Sequence, residues 1–323
     1  MPAADLPAAD LPAADLPDAD LPGAAPSRPA PAAGAADAGG EGLRIGVALS
    51  GGGARGLAHA AVISAFDEMG LKPAAIAGAS IGALVGAGWA GGLTGSDIAE
   101  LARARFADSR ALIASLWQLR PQRLSDLFGA NAMVSLDAGR VIDLVLPGTL
   151  PEAIEDLPVR FTAIGTDFYG WNEVRFSAGP LKPALAASIA LPAVFRTVSH
   201  EGRVLMDGGF SNPLPFDALP RAVDFVVAVD VVGGPQPDAE RRQPGPTEAL
   251  FGASQIMMQA LITEKLKHRR APDLVVRPDI NRFRVLDFLK AGEVLAAARP
   301  VTEAVRRALE AALEARERTR RDD

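Results

Sequence analysis

Ser80 is the first candidate for chemistry, because it is the central residue of a G-x-S-x-G pentapeptide. This pentapeptide consists of Gly78, Ala79, Ser80, Ile81 and Gly82. Between a strand and a helix, the pattern is typical of a nucleophile elbow, in which glycines permit a strained turn that exposes the serine hydroxyl. The first amides of the following helix would then face the negative charge that develops during attack on a carbonyl. A tight glycine turn with a serine that caps the helix can show the same pattern. Only the strand before it and the helix after it favour the nucleophile elbow.

A glycine-rich segment precedes this pentapeptide and consists of Gly51, Gly52, Gly53, Ala54, Arg55 and Gly56. Such a loop at the start of a helix exposes backbone amides that can bind an anion. A dinucleotide site would also require an acid at the end of the next strand, and residues 73–96 contain none. A P-loop would require the G-K-[ST] ending, which is missing. The third interpretation is an oxyanion hole formed by the amides of Gly52 and Gly53, with Arg55 stabilising the loop or the charge.

Asp207 is the candidate base for Ser80. It follows an apolar run and precedes Gly208 and Gly209 in the segment MDGGFSNPLP. An aspartate in this position also suits an ordinary turn, and an exposed aspartate with a pKa near 4 is a poor base for serine. The catalytic interpretation therefore requires that Asp207 is partly buried and directly contacts the Ser80 hydroxyl.

The sequence has three histidines that could act as the base instead. His59 falls within a predicted helix, His200 in a predicted hairpin turn, and His268 in the charged run EKLKHRR. The first is expected to be packed and the other two solvated. The chain order Ser80, Asp207, His268 nevertheless matches that of an α/β-hydrolase triad, so a triad remains an alternative.

The elements around these residues predict an α/β fold. A continuous apolar run at 43–50 is typical of a central parallel strand, and it is followed by the glycine loop and a helix at 57–70. A short strand at 74–79, the Ser80 turn and a helix through Trp89 continue the pattern. Residues 73–96 carry no charge and are long enough to span a bilayer. Because they are rich in alanine and glycine and contain the turn, we expect a buried strand and helix and no transmembrane span.

The rest of the chain predicts further strands and helices of the same sheet. Residues 97–150 are amphipathic and helical, with breaks at Pro121 and Pro147. Strands are expected at 159–168, 172–177 and 224–232, a hairpin at 196–209, a loop at 233–247, a helix at 248–270, a strand at 273–280 and a terminal helix at 300–318. The late strand indicates that the C-terminal part returns to the same sheet.

Composition limits the classes of function. The 323 residues are 49% hydrophobic and 22% charged and include no cysteine, which excludes disulfides, thiolate nucleophiles and cysteine metal sites. Residues 1–41 repeat a PAADL unit and predict a disordered arm, which carries seven acids and one base. The remaining 32 acids and 32 bases balance, so no basic surface for nucleic acid is indicated. The N-terminus lacks the basic start and apolar core of a signal peptide.

Taken together, the motifs resemble those of a known family. GGGARG, GASIG and DGG, in this order, are similar to the three signature blocks of patatin-like phospholipases, particularly the bacterial branch similar to the neuropathy-target-esterase catalytic domain. The surrounding text VALSGGGARGLAHAAVI, ASIALPAVFRTV and DGGFSNPLP extends the resemblance over residues 44–232. Many members have aspartate where this chain has Ser50 and alanine where it has Gly209, and neither change touches the proposed chemistry.

The resemblance implies a three-layer α/β/α sandwich with a central, mainly parallel sheet over residues 42–323. It implies a lipid-acyl hydrolase in which Ser80 is the nucleophile, Asp207 the base and residues 51–56 the oxyanion hole, without histidine, metal or cofactor. The expected partner is a phospholipid or lysophospholipid ester, and the expected location is cytoplasmic, with membrane contact only peripheral. A non-catalytic lipid-binding protein on the same fold remains an alternative.

Overall fold

The computed structural model describes residues 42–106, 136–237, 243–267 and 270–322. The predicted N-terminal arm, the middle of the helical region predicted at 97–150, and His268 lie outside these residues. The described residues belong to one compact unit.

A mixed sheet forms the centre of this unit. Its strands in the described residues are β1 Ile45–Leu49, β2 Ala75–Ala79, β3 Arg160–Asp167, β4 Asn172–Phe176, β5 Val198–His200, β6 Arg203–Asp207, β7 Phe225–Val229 and β8 Leu274–Val276. Strands β8, β7, β1, β2 and β3 lie side by side and are all parallel. The pairing of β8 with β7 places the late strand in the same sheet, as the sequence predicts. The sequences of the central strands are continuous apolar runs because other elements cover both faces of this sheet.

Strand β3 has different partners along its two edges. β4 pairs with residues 163–167 of β3 in the antiparallel direction and occupies one edge. The other edge is shared, since β2 pairs with residues 160–164 and β6 pairs with residues 165–167. Because β2 is parallel to β3 and β6 is antiparallel to it, β2 and β6 run toward each other along this edge. Their last residues therefore meet.

Helices cover both faces of the sheet. They are α1 His59–Glu68, α2 Ile81–Ala90, α3 Gly95–Phe106, α4 Ala138–Val145, α5 Leu181–Ser188, α6 Pro246–Lys265, α7 Ala291–Ala298 and α8 Pro300–Asp322. The side chains of β1 alternate between two cores: Ile45, Val47 and Leu49 pack with α1 and α2, and Ala48 packs with α6 and residues 214–219. This alternation gives the three layers that the resemblance implies.

The uncharged stretch 73–96 forms β2, the turn at Ser80 and the ten-residue helix α2. Both elements are buried against the sheet or within it, which accounts for their apolar character. Among the helices of the described residues, none combines the length and the hydropathy that crossing a bilayer requires.

Candidate active site

Ser80 and Asp207 are brought together by the two strands that share one edge of β3. Ala79, the last residue of β2, pairs with Ile164, and Asp207, the last residue of β6, pairs with the next residue, Gly165. The nucleophile candidate and the base candidate therefore occupy adjacent positions, although they are 127 positions apart in the chain.

The turn at Ser80 has the strained geometry of a nucleophile elbow. Ser80 has a φ of 54° and a ψ of −126°, a conformation that residues other than glycine rarely adopt and that costs about 1–3 kcal/mol. A Cβ atom on Gly78 would lie 2.4 Å from the Gly82 carbonyl oxygen, and one on Gly82 would lie 2.3 Å from that of Leu49. No side chain fits at either position, because neighbouring backbone atoms lie too close. The turn is also held by the Ser80 amide, which donates to Ser188 Oγ at 3.0 Å.

The Ser80 hydroxyl contacts the Asp207 carboxylate directly. Ser80 Oγ donates to Asp207 Oδ2 at 2.5 Å, at the short end of the range for a hydroxyl bound to an ionised acceptor. The other carboxylate oxygen, Oδ1, accepts from the Gly209 amide at 2.8 Å. The two hydrogen bonds fix the direction of the carboxylate toward Ser80. Asp207 is only 1% exposed, so its carboxylate has almost no contact with solvent.

Burial changes the basicity of Asp207. Desolvation raises the pKa of Asp207, and the hydrogen bonds from Ser80 and Gly209 lower it by less. The net result is a rise from 3.8 to about 6. A carboxylate with a pKa near 6 remains ionised at neutral pH and accepts a proton more readily than an exposed aspartate. Burial and direct contact were the two conditions that the catalytic interpretation of Asp207 required.

The backbone around Asp207 is fixed on both sides. Its amide donates to the Ala190 carbonyl at 3.1 Å, and its carbonyl accepts from Thr166 Oγ1 at 2.8 Å. The adjacent Gly208 lies against β3, where a Cβ atom would come within 2.1 Å of the Ile164 carbonyl oxygen. Sequence reasoning did not identify Thr166 or Ser188 as positioning residues. Their hydroxyls stand in otherwise apolar segments, which was the available signal.

The glycine-rich loop lies beside Ser80, since a Cβ atom on Gly51 would be 3.3 Å from the Ser80 Cβ. The Gly51 amide donates to the Pro213 carbonyl and the Ala54 amide to the Val285 carbonyl, so neither can bind an oxyanion. Within the described part of the chain, the amides of Gly52 and Gly53 have no such acceptor. This leaves the amides of Gly52 and Gly53, the pair that the sequence suggested, as the candidates for an oxyanion hole.

The other members of the loop have structural roles. A Cβ atom on Gly56 would lie 2.2 Å from Ile81 Cγ2, so this glycine lets the loop pack against the elbow helix. The Arg55 guanidinium is buried beside Gly233, and desolvation lowers its pKa to about 10 while Asp230 and Asp287 act in the opposite direction. Arg55 consequently remains charged at neutral pH and places a positive charge next to the loop.

Two of the three histidines can be located, and neither contacts Ser80. His59 is fully buried in α1, where Nε2–H donates to the Ser50 carbonyl at 3.0 Å and burial lowers its pKa to about 4. His200 ends β5, next to the turn in which it was expected, and its ring packs edge-on against Phe176. His268 lies outside the described residues.

A cavity of about 440 Å³ opens at Ser80. Its walls are apolar side chains from α2, α3, α4 and the segments that follow α5 and β8, among them Leu84, Leu101, Leu144, Phe195 and Leu289. Ser80 and Gly53 line the same cavity, so a chain bound in it would end between the hydroxyl and the free amides. Such a lining accommodates a long hydrocarbon chain and offers few partners to a polar ligand. The sequence did not predict this cavity.

Comparison with known proteins places these motifs in a family context. A family model described as patatin-like phospholipase matches residues 47–220, which include Ser80, Asp207 and the glycine-rich loop. An uncharacterised NTE family protein of Mycobacterium tuberculosis is 38% identical over 223 residues, which cover 65% of this chain and 58% of that protein. Neuropathy target esterase sws of Drosophila melanogaster is 30% identical over 203 residues, which cover 62% of this chain and 13% of that protein. The chain thus spans little more than half of the mycobacterial relative and a small part of the fly protein.

Among solved structures, VipD from Legionella pneumophila aligns with a TM-score of 0.47 at 14% identity, covering 83% of this chain and 67% of VipD. Human GIVD cytosolic phospholipase A2 aligns with a TM-score of 0.40 at 11% identity, covering 85% of this chain and 61% of the human chain.

Proposed function

The chain belongs to the patatin-like phospholipase family, and from this we propose that it is a serine lipid-acyl hydrolase with Ser80 as nucleophile and Asp207 as general base. The observation that carries the proposal is the 2.5 Å hydrogen bond from Ser80 Oγ to Asp207 Oδ2. A buried carboxylate with a pKa near 6 can take the serine proton as the hydroxyl attacks, without a histidine between them.

The reaction would proceed through an acyl-enzyme. Ser80 Oγ attacks the ester carbonyl carbon as its proton passes to Asp207, and the amides of Gly52 and Gly53 stabilise the oxyanion of the tetrahedral intermediate. Collapse of the intermediate breaks the ester bond, and Asp207 returns the proton to the departing alcohol. Water then attacks the acyl group with Asp207 as base, and the fatty acid leaves while Ser80 regains its proton.

The apolar cavity supports a fatty-acyl ester as substrate. Its walls are almost entirely hydrocarbon, and Ser80 lies on its surface, so an acyl chain bound there would place its carbonyl at the nucleophile. Phospholipids and lysophospholipids carry such chains, and their location in membranes implies peripheral contact of the enzyme with a lipid surface.

Direct contact between Ser80 and Asp207 favours the dyad over a triad, because a triad places a histidine between serine and aspartate. The intact nucleophile, base and free amides favour an enzyme over a lipid-binding protein without activity. The second alternative is tested by turnover of a chromogenic fatty-acyl ester and by labelling with a fluorophosphonate. The wild type should react in both assays, and Ser80→Ala should react in neither while keeping the circular dichroism of the wild type. Near-normal turnover by Ser80→Ala would refute the assignment.

A further inference from the structure

The turn between β3 and β4 carries three aromatic side chains into solvent. Phe168, Tyr169 and Trp171 surround Gly170, and we call residues 168–171 the aromatic turn. Tyr169 is the only tyrosine of the chain and is 73% exposed, and Trp171 is 90% exposed. Large aromatic residues normally pack in the core. Three of them at one exposed turn indicate a surface that binds a membrane or another molecule.

The aromatic turn lies at the same end of the sheet as the nucleophile. β2 and β3 are parallel, and Ala79, next to Ser80, pairs with Ile164. β3 continues for three residues to Asp167, which is about 10 Å at the rise of a strand. The turn therefore projects beyond Ser80 in the direction in which the parallel strands end.

The other exposed large hydrophobic side chains of the described residues come after parallel strands in the chain. One group lies on α6, after β7, and consists of Leu250, Ile256, Met257 and Leu261. The other consists of Leu286 and Leu289, which follow β8, are about half exposed and also line the cavity that reaches Ser80. Because Leu286 and Leu289 are exposed and also line the cavity, the cavity has apolar side chains at the protein surface, as it would if an acyl chain entered from a lipid layer.

The aromatic turn is held in one conformation by Asp167. The Asp167 carboxylate accepts from the amides of Tyr169 and Gly170, and its carbonyl accepts from the amide of Trp171. The rings of Phe168 and Tyr169 pack edge to face at 5.0 Å. Because the turn is already ordered, inserting its rings into a partner costs little conformational entropy.

The charges around the turn decide which partner it fits. Asp167 is only 13% exposed and pairs with Arg203 Nε at 3.9 Å, so the turn carries no uncompensated charge. Residues 42–323 are likewise balanced, with 32 acids and 32 bases. Tryptophan and tyrosine prefer the headgroup level of a bilayer, where the ring is buried and the polar atom stays hydrated. A neutral aromatic surface matches a zwitterionic lipid layer, and an anionic layer would call for a basic patch.

We propose that the aromatic turn is a membrane anchor that inserts into the interface of a zwitterionic phospholipid layer and holds Ser80 at that layer. The proposal rests on the proposed function for its substrate, a membrane lipid. It assigns to residues 168–171 a binding role that is separate from catalysis.

The test measures sedimentation with phosphatidylcholine vesicles, using the Ser80→Ala protein so that the lipid stays intact. Tyr169→Ser/Trp171→Asn removes the two most exposed rings of the turn, and asparagine tolerates the positive φ of 54° at position 171. We expect its partition into vesicles to fall about tenfold or more, since each ring loses its burial in the interface. The matched control, Tyr169→Phe/Trp171→Tyr, should bind like the parent, and binding should be the same at low and high salt.

Three results would overturn the proposal: unchanged vesicle binding by the double variant, loss of the parent's binding at high salt, or a change in oligomeric state on gel filtration that shows the turn to bind a second copy of the chain. With Ser80 restored, turnover of a soluble short-chain ester should be equal in all variants. If the wild type and all variants with Ser80 fail to hydrolyse that ester, the proposed function is wrong. The vesicle measurement still tests whether the aromatic turn binds the lipid layer.

Discussion

At the scale of single residues, the proposed chemistry depends on what burial does to Asp207. An aspartate in water would be ionised throughout the neutral range but too weak a base, and desolvation raises its pKa to about 6. The sequence pointed to Asp207 as the candidate base, because it precedes two glycines at the end of an apolar run. Its basicity could not be read from the sequence, since it depends on the 1% exposure that tertiary packing creates.

The raised pKa of Asp207 predicts the acid limb of the pH–rate profile. The dyad needs an ionised carboxylate, so kcat/KM for a soluble ester should fall about tenfold per pH unit below about pH 6. The measurement is kcat/KM between pH 4 and 8, with circular dichroism at each pH to exclude unfolding. An acid limb that begins only near pH 4 would mean that Asp207 keeps the pKa of an exposed aspartate.

At the scale of elements, most of the strands could be predicted and their arrangement could not. Continuous apolar runs indicated β1, β2, β3 and β7, because buried parallel strands need such runs on both faces. Helix α7 was missed because Ala291–Ala298 has only eight residues and is followed at once by α8. The meeting of β2 and β6 on one edge of β3 depends on register, which no local pattern specifies.

The two glycines after Asp207 provide a matched pair of variants. A Cβ atom at Gly208 would lie 2.1 Å from the Ile164 backbone, which cannot move aside. At Gly209 the nearest atoms are the flexible end of Met258 at 2.9 Å and Asp207 Oδ1 at 3.1 Å, so a shift of a few tenths of an ångström makes room. We expect Gly208→Ala to displace Asp207 and to lose activity about 100-fold or to unfold, and Gly209→Ala to retain activity. Turnover of a soluble ester and the melting temperature of both variants decide the matter. Equal activities would show that the turn does not position the base.

At the scale of the whole molecule, the ionised site should cost stability. In the native state the pKa of Asp207 is raised from 3.8 to about 6, so between these values the folded protein holds a proton that the unfolded chain has released. The free energy of unfolding therefore falls as pH rises through this window, by about 3 kcal/mol in total, and stays lowered above it. Active sites commonly retain such a cost for function.

Asp207→Asn should remove this cost. At pH 7 its melting temperature should exceed that of the wild type by several degrees, and the difference should vanish near pH 4. The matched control is Asp224→Asn, since Arg44 pairs with Asp224 and lowers its pKa to about 2, so this substitution should not stabilise the protein. The opposite result, a less stable Asp207→Asn protein at pH 7, would contradict the desolvation argument.

The central claim, a dyad of Ser80 and Asp207 that needs no histidine, is tested most directly by one comparison of turnover. Asp207→Asn keeps the size and the hydrogen bonding of the side chain but removes the proton acceptor, so kcat on a soluble ester should fall about 10²- to 10⁴-fold. His268→Gln, the substitution that would disable a triad, should leave kcat close to that of the wild type. A His268→Gln protein that is folded but inactive would contradict the dyad and assign the base to His268, even if Asp207→Asn is inactive too, because a triad also needs its aspartate.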